Sequence, residues 1–137
     1  METNVIPVEL SRIVIDETSD EQVIVLREVG GERSFPILIG IFEATVIDRI
    51  VKGRGAPRPL THDLIAEIIH RLGGRLHRAE IDDLKSDTYY AKLVIALDRD
   101  KGREVLIDAR PSDAVAVALQ MGAPLFVAEK VMDQVAR

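Results

Sequence analysis

No cysteine occurs in the chain, which removes disulfides, zinc–thiolate sites and thiol chemistry from consideration. Tryptophan is also absent, and only 2 Tyr and 3 Phe are present, so a platform of rings for stacking unpaired bases is poorly supplied. Long apolar runs are missing. The most apolar region, Ala114–Ala128, is broken by Gln120, Gly122 and Pro124 and is too short to span a bilayer. Met1–Leu10 has neither a basic start nor an apolar stretch, so no secretory signal is expected, and a cytoplasmic protein with no membrane role follows as the default. Positive charge is in deficit: 18 Lys and Arg stand against 23 Asp and Glu, a net charge of -5. That balance argues against a general-purpose nucleic-acid coat and leaves room for a local basic groove.

What is present suits one domain, residues 1–137, with a real core, since 47% of the 137 residues are hydrophobic. Val8–Ile15 and Gln22–Val29 are rich in β-branched residues and flank the polar Asp16–Glu21 link, which reads as a hairpin. Ser34–Ile39 is a third strand, and Pro36 within it predicts an edge or a bulge. Helical spacing follows in Ile41–Lys52 and Thr61–Leu72, the second stopped by Gly73-Gly74. Arg75–Leu84, Thr88–Asp98 and Glu104–Asp108 read as strands, Pro111–Met121 as a helix, Leu125–Val127 as a short strand and Glu129–Val135 as a terminal helix. Hairpins mixed with strand–helix steps define an α+β fold: a single compact domain with a mixed β-sheet packed by three to four helices.

Two stretches carry the chemistry. Arg58-Pro59-Leu60-Thr61-His62-Asp63 and Asp108-Ala109-Arg110-Pro111-Ser112-Asp113 both run from Arg-Pro through a small hydroxyl residue to an Asp, and both open a helix. Proline fits a first helical turn, and Thr61 or Ser112 is expected to cap free amides there. Each start also gathers an Arg, an Asp and unpaired backbone N–H groups, which is the equipment of an anion site.

Within the first helix, Phe42, Val46, Ile47, Ile50 and Val51 fall on one apolar arc with Glu43 in its middle. A carboxylate there needs an Arg, a metal or several donors, so Glu43 either locks the helix in a buried Glu–Arg pair or faces a cleft floor. In the second helix Leu64, Ile65, Ile68, Ile69 and Leu72 form the expected buried stripe, Glu67 and His70 are solvated, and His62 lies at the stripe's edge. His77, alternating with Ala79 and Ile81, reads as a structural residue on an inner strand face. The third helix is apolar nearly all round and should be buried. Asp108 ends a strand where pockets often open, and Asp108, Asp113 and Glu43 are hard oxygen donors suited to Mg²⁺ or Mn²⁺. Arg49, Lys52, Arg54, Arg58, Arg71 and Arg75 concentrate positive charge in one span, with Arg58 fixed by prolines on both sides.

Pro36-Ile37-Leu38-Ile39-Gly40 followed by Glu43-Ala44, then Pro57–Leu64, Thr88-Tyr89-Tyr90-Ala91 and Asp108–Ala114, resemble the bifunctional nuclease domain family of bacteria and plants. The resemblance runs through nearly the whole chain in the family's order. Tyr89 stands where the family often has Phe, and no added carboxy-terminal domain of the kind plant members can carry is expected after Val135. It implies a homo-oligomer (dimer or larger) that cuts DNA and RNA. It carries Glu43, Arg58, Thr61, His62, Asp63, Asp108, Arg110, Ser112 and Asp113 forward as the site.

On that basis the expected chemistry is phosphodiester hydrolysis with low sequence preference. Arg58, Thr61, Arg110 and Ser112 would hold phosphate, and Asp108, Asp113 and Glu43 a divalent ion. His62 would be the general base, with Asp63 beside it in the catalytic group. The rival reading is a non-catalytic oligomeric regulatory module that binds a nucleotide or other small anion, favoured by the acidic total.

Overall fold

A computed structural model describes residues 4–135. Its strands are β1 (Val5–Val14), β2 (Gln22–Glu28), β3 (Ser34–Ile39), β4 (Gly74–Lys85), β5 (Thr88–Leu97), β6 (Glu104–Ala109) and β7 (Leu125–Ala128). Its helices are α1 (Ile41–Val51), α2 (Thr61–Arg71), α3 (Pro111–Met121) and α4 (Glu129–Val135). The seven strands form one mixed sheet in the order β3-β2-β1-β7-β4-β5-β6. Every pairing is antiparallel except β4 with β7. The α+β single domain read from the sequence is the one observed, and β3, with its Pro36, is an edge strand.

The sheet curls. Register shifts between Leu10 and Arg12, Leu76 and Arg78, and Ile81 and Asp83 mark bulges, which bend and twist a strand. As a result Phe35, on the β3 edge, comes within 6.0 Å of the Tyr89 ring of β5, far from it in strand order. Helix α3 fills the hollow, packing on α1 and α2 and against β4 and β5. Its burial runs from Ser112 through Ala114–Ala118, a stretch apolar on every side, while Leu119 and Gln120 near its end are exposed. Small Ala residues let neighbouring elements approach closely, and Gly122 ends the helix in the left-handed conformation that a side chain would strain (φ 65°).

Three readings of burial need correcting. On α1 the buried residues are Ala44 and Ile47, whereas Phe42 is 83% exposed and Val51 55%. The apolar arc is wider than the surface that α3 and β2 cover, and burial centres on one side of it. On α2 the inward residues are His62 and Ile69, with Ile65 half-buried; Leu64, Ile68 and Leu72 are exposed. The helix carries two apolar stripes, and a bond from His62 to α3 decides which one turns inward. His77 is exposed and pairs with Glu104 at 2.7 Å. The β4 bulge falls at His77, so the alternation that would bury it beside Ala79 is broken there.

Replacing Ile47 with Ala should destabilise the protein by about 2–5 kcal/mol, since a fully buried side chain leaves a cavity. Phe42→Ser should change stability by no more than about 0.5 kcal/mol. Urea unfolding of both variants tests which side of α1 is packed; the reverse ranking would rotate the helix.

Candidate functional site

Arg110 is the last extended residue before α3 (φ -72°, ψ 152°), and Pro111 at the first helical position sets the chain's direction. From there the guanidinium folds back onto the first turn of its own helix. Its Nε donates to Asp113 Oδ2 at 2.8 Å and its Nη2 to Asp113 Oδ1 at 3.0 Å, a two-point fork. The remaining arm, Nη1, donates to Glu43 Oε1 on α1 at 3.0 Å. His62, in the first turn of α2, places Nε2 3.0 Å from Asp113 Oδ1 and donates to it, while its Nδ1 is buried with no hydrogen-bond partner. One carboxylate and one guanidinium therefore tie the starts of three helices together.

The titration behaviour follows from these contacts. Burial pushes the Asp113 carboxyl up, but the Arg110 hydrogen bonds, the His62 hydrogen bond and the nearby positive charge outweigh it and hold the group below its ordinary value. Arg110 is pushed above its ordinary value, first by the Asp113 hydrogen bond and its charge and, to a smaller degree, by Glu43. The pair stays ionised together.

Gly40 allows this arrangement. Its backbone (φ -77°, ψ 166°) is one that any residue adopts, so conformational freedom is not the reason for glycine. A Cβ built there would collide with Glu43 Oε2. The missing side chain leaves room for the Glu43 carboxylate to turn toward Arg110.

Two hollows flank the cluster. A cleft of about 360 Å³ is bounded by Gly40, Glu43, Arg110, Ser112, Tyr89 and Asp87. Asp87 belongs with Ser86 to the two-residue β4–β5 turn, both in the left-handed region (φ 63° and 50°), as such hairpins require. The second hollow is a groove of about 1180 Å³ between the end of α1, the 53–60 loop, α2 and the end of α3, holding Arg49, Arg54, Arg58 and Arg71 with Asp63 and Glu67. Helix α2 begins between the hollows: His62 turns to Asp113, and the next residue, Asp63, lines the groove.

The residues named from the sequence divide accordingly. Glu43, His62, Arg110 and Asp113 come together, with Ser112 on the cleft wall. Arg58 and Asp63 lie in the groove, and Thr61 is exposed between. Neither Thr61 nor Ser112 caps its helix; the cap positions belong to Leu60 and Arg110. It is Asp63 Oδ2 that accepts from the Leu60 N–H, at 2.9 Å. Asp108 is not brought to the cluster. Its strand register sets it opposite Lys92, on the other side of β6 from Ala109, exposed and with no hydrogen bond or ion pair among the described residues. For the same reason Asp108 is not gathered with Asp113 and Glu43, the three donors named for a divalent ion. Among the described residues no three His, Asp or Glu side chains could hold a metal ion, and both Glu43 and Asp113 already face Arg110. Arg49, counted from the sequence only as part of a basic span, was not singled out as a site residue. It is in fact only 17% exposed, with Nη1 donating to the Arg54 carbonyl.

Fold and site together define an α+β protein built around an arginine clamped by two carboxylates, beside an arginine-lined groove. The chain belongs to the bifunctional nuclease domain family, whose pattern matches residues 24–137. An uncharacterized protein of Mycobacterium tuberculosis (strain H37Rv) is 42% identical over 122 residues, 89% of this chain and 71% of its own length. Bifunctional nuclease 1 of Oryza sativa subsp. indica is 22% identical over 116 residues, and Bifunctional nuclease 2 of Oryza sativa subsp. japonica is 26% identical over 114 residues. Those matches take in 85% and 82% of this chain but only 35% of each rice protein.

Gly40→Ala should separate Glu43 from Arg110 while leaving the extended backbone before α1 in place. The Arg110 side-chain N–H signals should then shift in an NMR spectrum, and unchanged signals would show that Glu43 does not need the space. Asp113 gives a pH prediction with a definite sign. Its folded value is lowered, so its stabilising effect is complete above the ordinary value of 3.8 and is lost as pH falls through the folded one. The stability gap between wild type and Asp113→Asn should therefore be constant near neutrality and narrow under acid, as followed by urea unfolding. A gap that stays constant at low pH would remove the ion pair from the account.

Proposed function

We propose that the protein hydrolyses phosphodiester bonds of DNA and RNA with low sequence preference. The observation that carries the reading is Arg110. Its guanidinium is held rigidly by Asp113 and Glu43, yet its side chain is 63% exposed at an open cleft where the amides of α3 begin. Names of the rice relatives point the same way.

In this reading the phosphate lies against Arg110 and the free N–H groups of Ser112 and Asp113, which stabilise charge as it builds on the phosphoryl oxygens. Glu43, on the cleft wall with Oε2 not engaged by Arg110, accepts a proton from the attacking water. Water adds to phosphorus, the bond to the leaving ribose oxygen breaks, and that oxygen takes its proton from solvent. Asp113 holds Arg110, and His62 holds Asp113; with Nδ1 buried and Nε2 engaged, His62 is a positioning residue rather than the general base expected from the sequence. No step is routed through a metal, because the donor set does not fit one. Backbone contacts carry no base information, so low sequence preference follows.

A second reading has its own support: every arm of Arg110 is already occupied by a carboxylate, as suits a module that binds an anion and does nothing further. Self-association belongs to the proposal under either reading, supported by the exposed stripe Leu64, Ile68 and Leu72. No helix among the described residues is long and apolar enough to cross a membrane. A cytoplasmic location belongs to the same proposal, as suits a protein acting on nucleic acid.

The test is cleavage of plasmid DNA and of RNA by the purified protein, with Mg²⁺, with Mn²⁺ and with chelator. Glu43→Gln and Arg110→Gln should each lower the rate by about 100-fold or more while the protein stays folded. Asp108→Asn should leave it unchanged. Rates unaffected by Glu43→Gln and Arg110→Gln would mean a contaminating nuclease and leave the binding module. Loss of all activity in chelator, with Asp108→Asn inactive, would restore the metal mechanism.

A further inference from the structure

We infer that the arginine groove is a track for a nucleic-acid backbone, separate from the Arg110 cleft and blind to the bases. The inference rests on the proposed function for its polymer and deepens it by locating where that polymer lies.

The groove's charge runs against the chain's. The protein carries a net charge of -5, yet Arg49, Arg54, Arg58 and Arg71 face this hollow against only Asp63 and Glu67. Two of the arginines have commitments: Arg71 is paired with Glu67 at 2.6 Å, and Arg49 is drawn toward Asp63. Arg54 and Arg58 form no ion pair among the described residues, and Arg58 is held between Pro57 and Pro59, whose fixed φ angles stiffen the loop. The second observation is Arg49 itself. Its Nη2 is buried and has no hydrogen-bond partner; Asp63 Oδ2, 3.9 Å away, is beyond hydrogen-bond reach. A buried guanidinium N–H left unpaired in a native fold calls for an acceptor, and the groove is where one can enter.

Size and lining select the ligand. At about 1180 Å³ the groove exceeds the usual range for a small-molecule pocket, which favours a polymer over a lone nucleotide. No Phe or Tyr lines it, and His70 is the one aromatic ring among its described lining residues, so base stacking is poorly supplied and recognition falls mainly to phosphates. The groove's Asp63 is adjacent in sequence to His62, which holds Asp113; the groove and the Arg110 network therefore meet in the first turn of α2.

The experiment measures binding of a short labelled DNA duplex, and of an abasic strand of equal length, by fluorescence anisotropy across a salt series. Arg54→Gln/Arg58→Gln should weaken both ligands alike by about tenfold or more and reduce the slope of log K against log salt by about two. Arg99→Gln/Arg103→Gln removes the same charge from the exposed β5–β6 turn and should leave affinity and slope as they were. Unchanged affinity and slope in the Arg54/Arg58 variant would overturn the inference, as would equal losses in both double variants or failure of the abasic strand to bind. Those results leave cleavage at Arg110 standing. Conversely, groove-dependent binding with no cleavage by the wild type would sink the hydrolysis reading and keep the track.

Discussion

Asp113 is the residue on which the rest depends. A half-buried carboxylate is unfavourable unless it is well satisfied, and this one is satisfied from both sides, by the Arg110 fork and by His62. Because Arg110 also reaches Glu43, satisfying that single charge brings α1, α2 and α3 into a fixed relation at their N-terminal ends. The helix dipoles favour the arrangement, since Glu43, Asp63 and Asp113 all lie in first turns. Shape and chemistry have one cause here: the bonds that fix the helix starts also hold Arg110 open to solvent at the cleft.

The curled sheet supplies the frame for that junction. Bulges in β1 and β4 let the β3 edge bend round toward β5, and α3 occupies the space enclosed. Burying Ala114–Ala118 of α3 fixes where its N-terminus emerges, and that is the point at which Arg110 and Ser112 reach the cleft. The same packing leaves the ends of α1 and α2 to form the groove, so a chain that is acidic overall gathers four of its arginines, Arg49, Arg54, Arg58 and Arg71, in one hollow.

Much of this was legible in the sequence, and the exceptions have identifiable reasons. The order of strands and helices follows from residue patterns, and burial of the middle of α3, Ala114–Ala118, follows from its lack of polar residues. A carboxylate in the apolar arc of α1 signalled that Glu43 needs a partner such as an arginine, and it has one. Burial on α2 was misread because two apolar stripes compete and composition cannot rank them; a polar bond, His62 to Asp113, decides. His77 was misread because a bulge shifts the strand's alternation by one residue, and nothing in the local sequence announces it. Asp108 was grouped with Asp113 as an oxygen donor because the two are close in sequence, but it still belongs to a strand, where alternate residues point to opposite sides, whereas Asp113 has turned into a helix. Gly40 gave no signal, since its reason is room for a side chain three positions on.

The account stands on Asp113 as the shared acceptor of two groups that lie on different helices. A double-mutant cycle of His62→Gln and Arg110→Gln, read by urea unfolding at neutral pH, tests this most directly. If both depend on Asp113, their effects should depart from additivity by more than about 0.5 kcal/mol. Effects that add within that margin would mean that the two bonds are independent, and the junction described here would not exist.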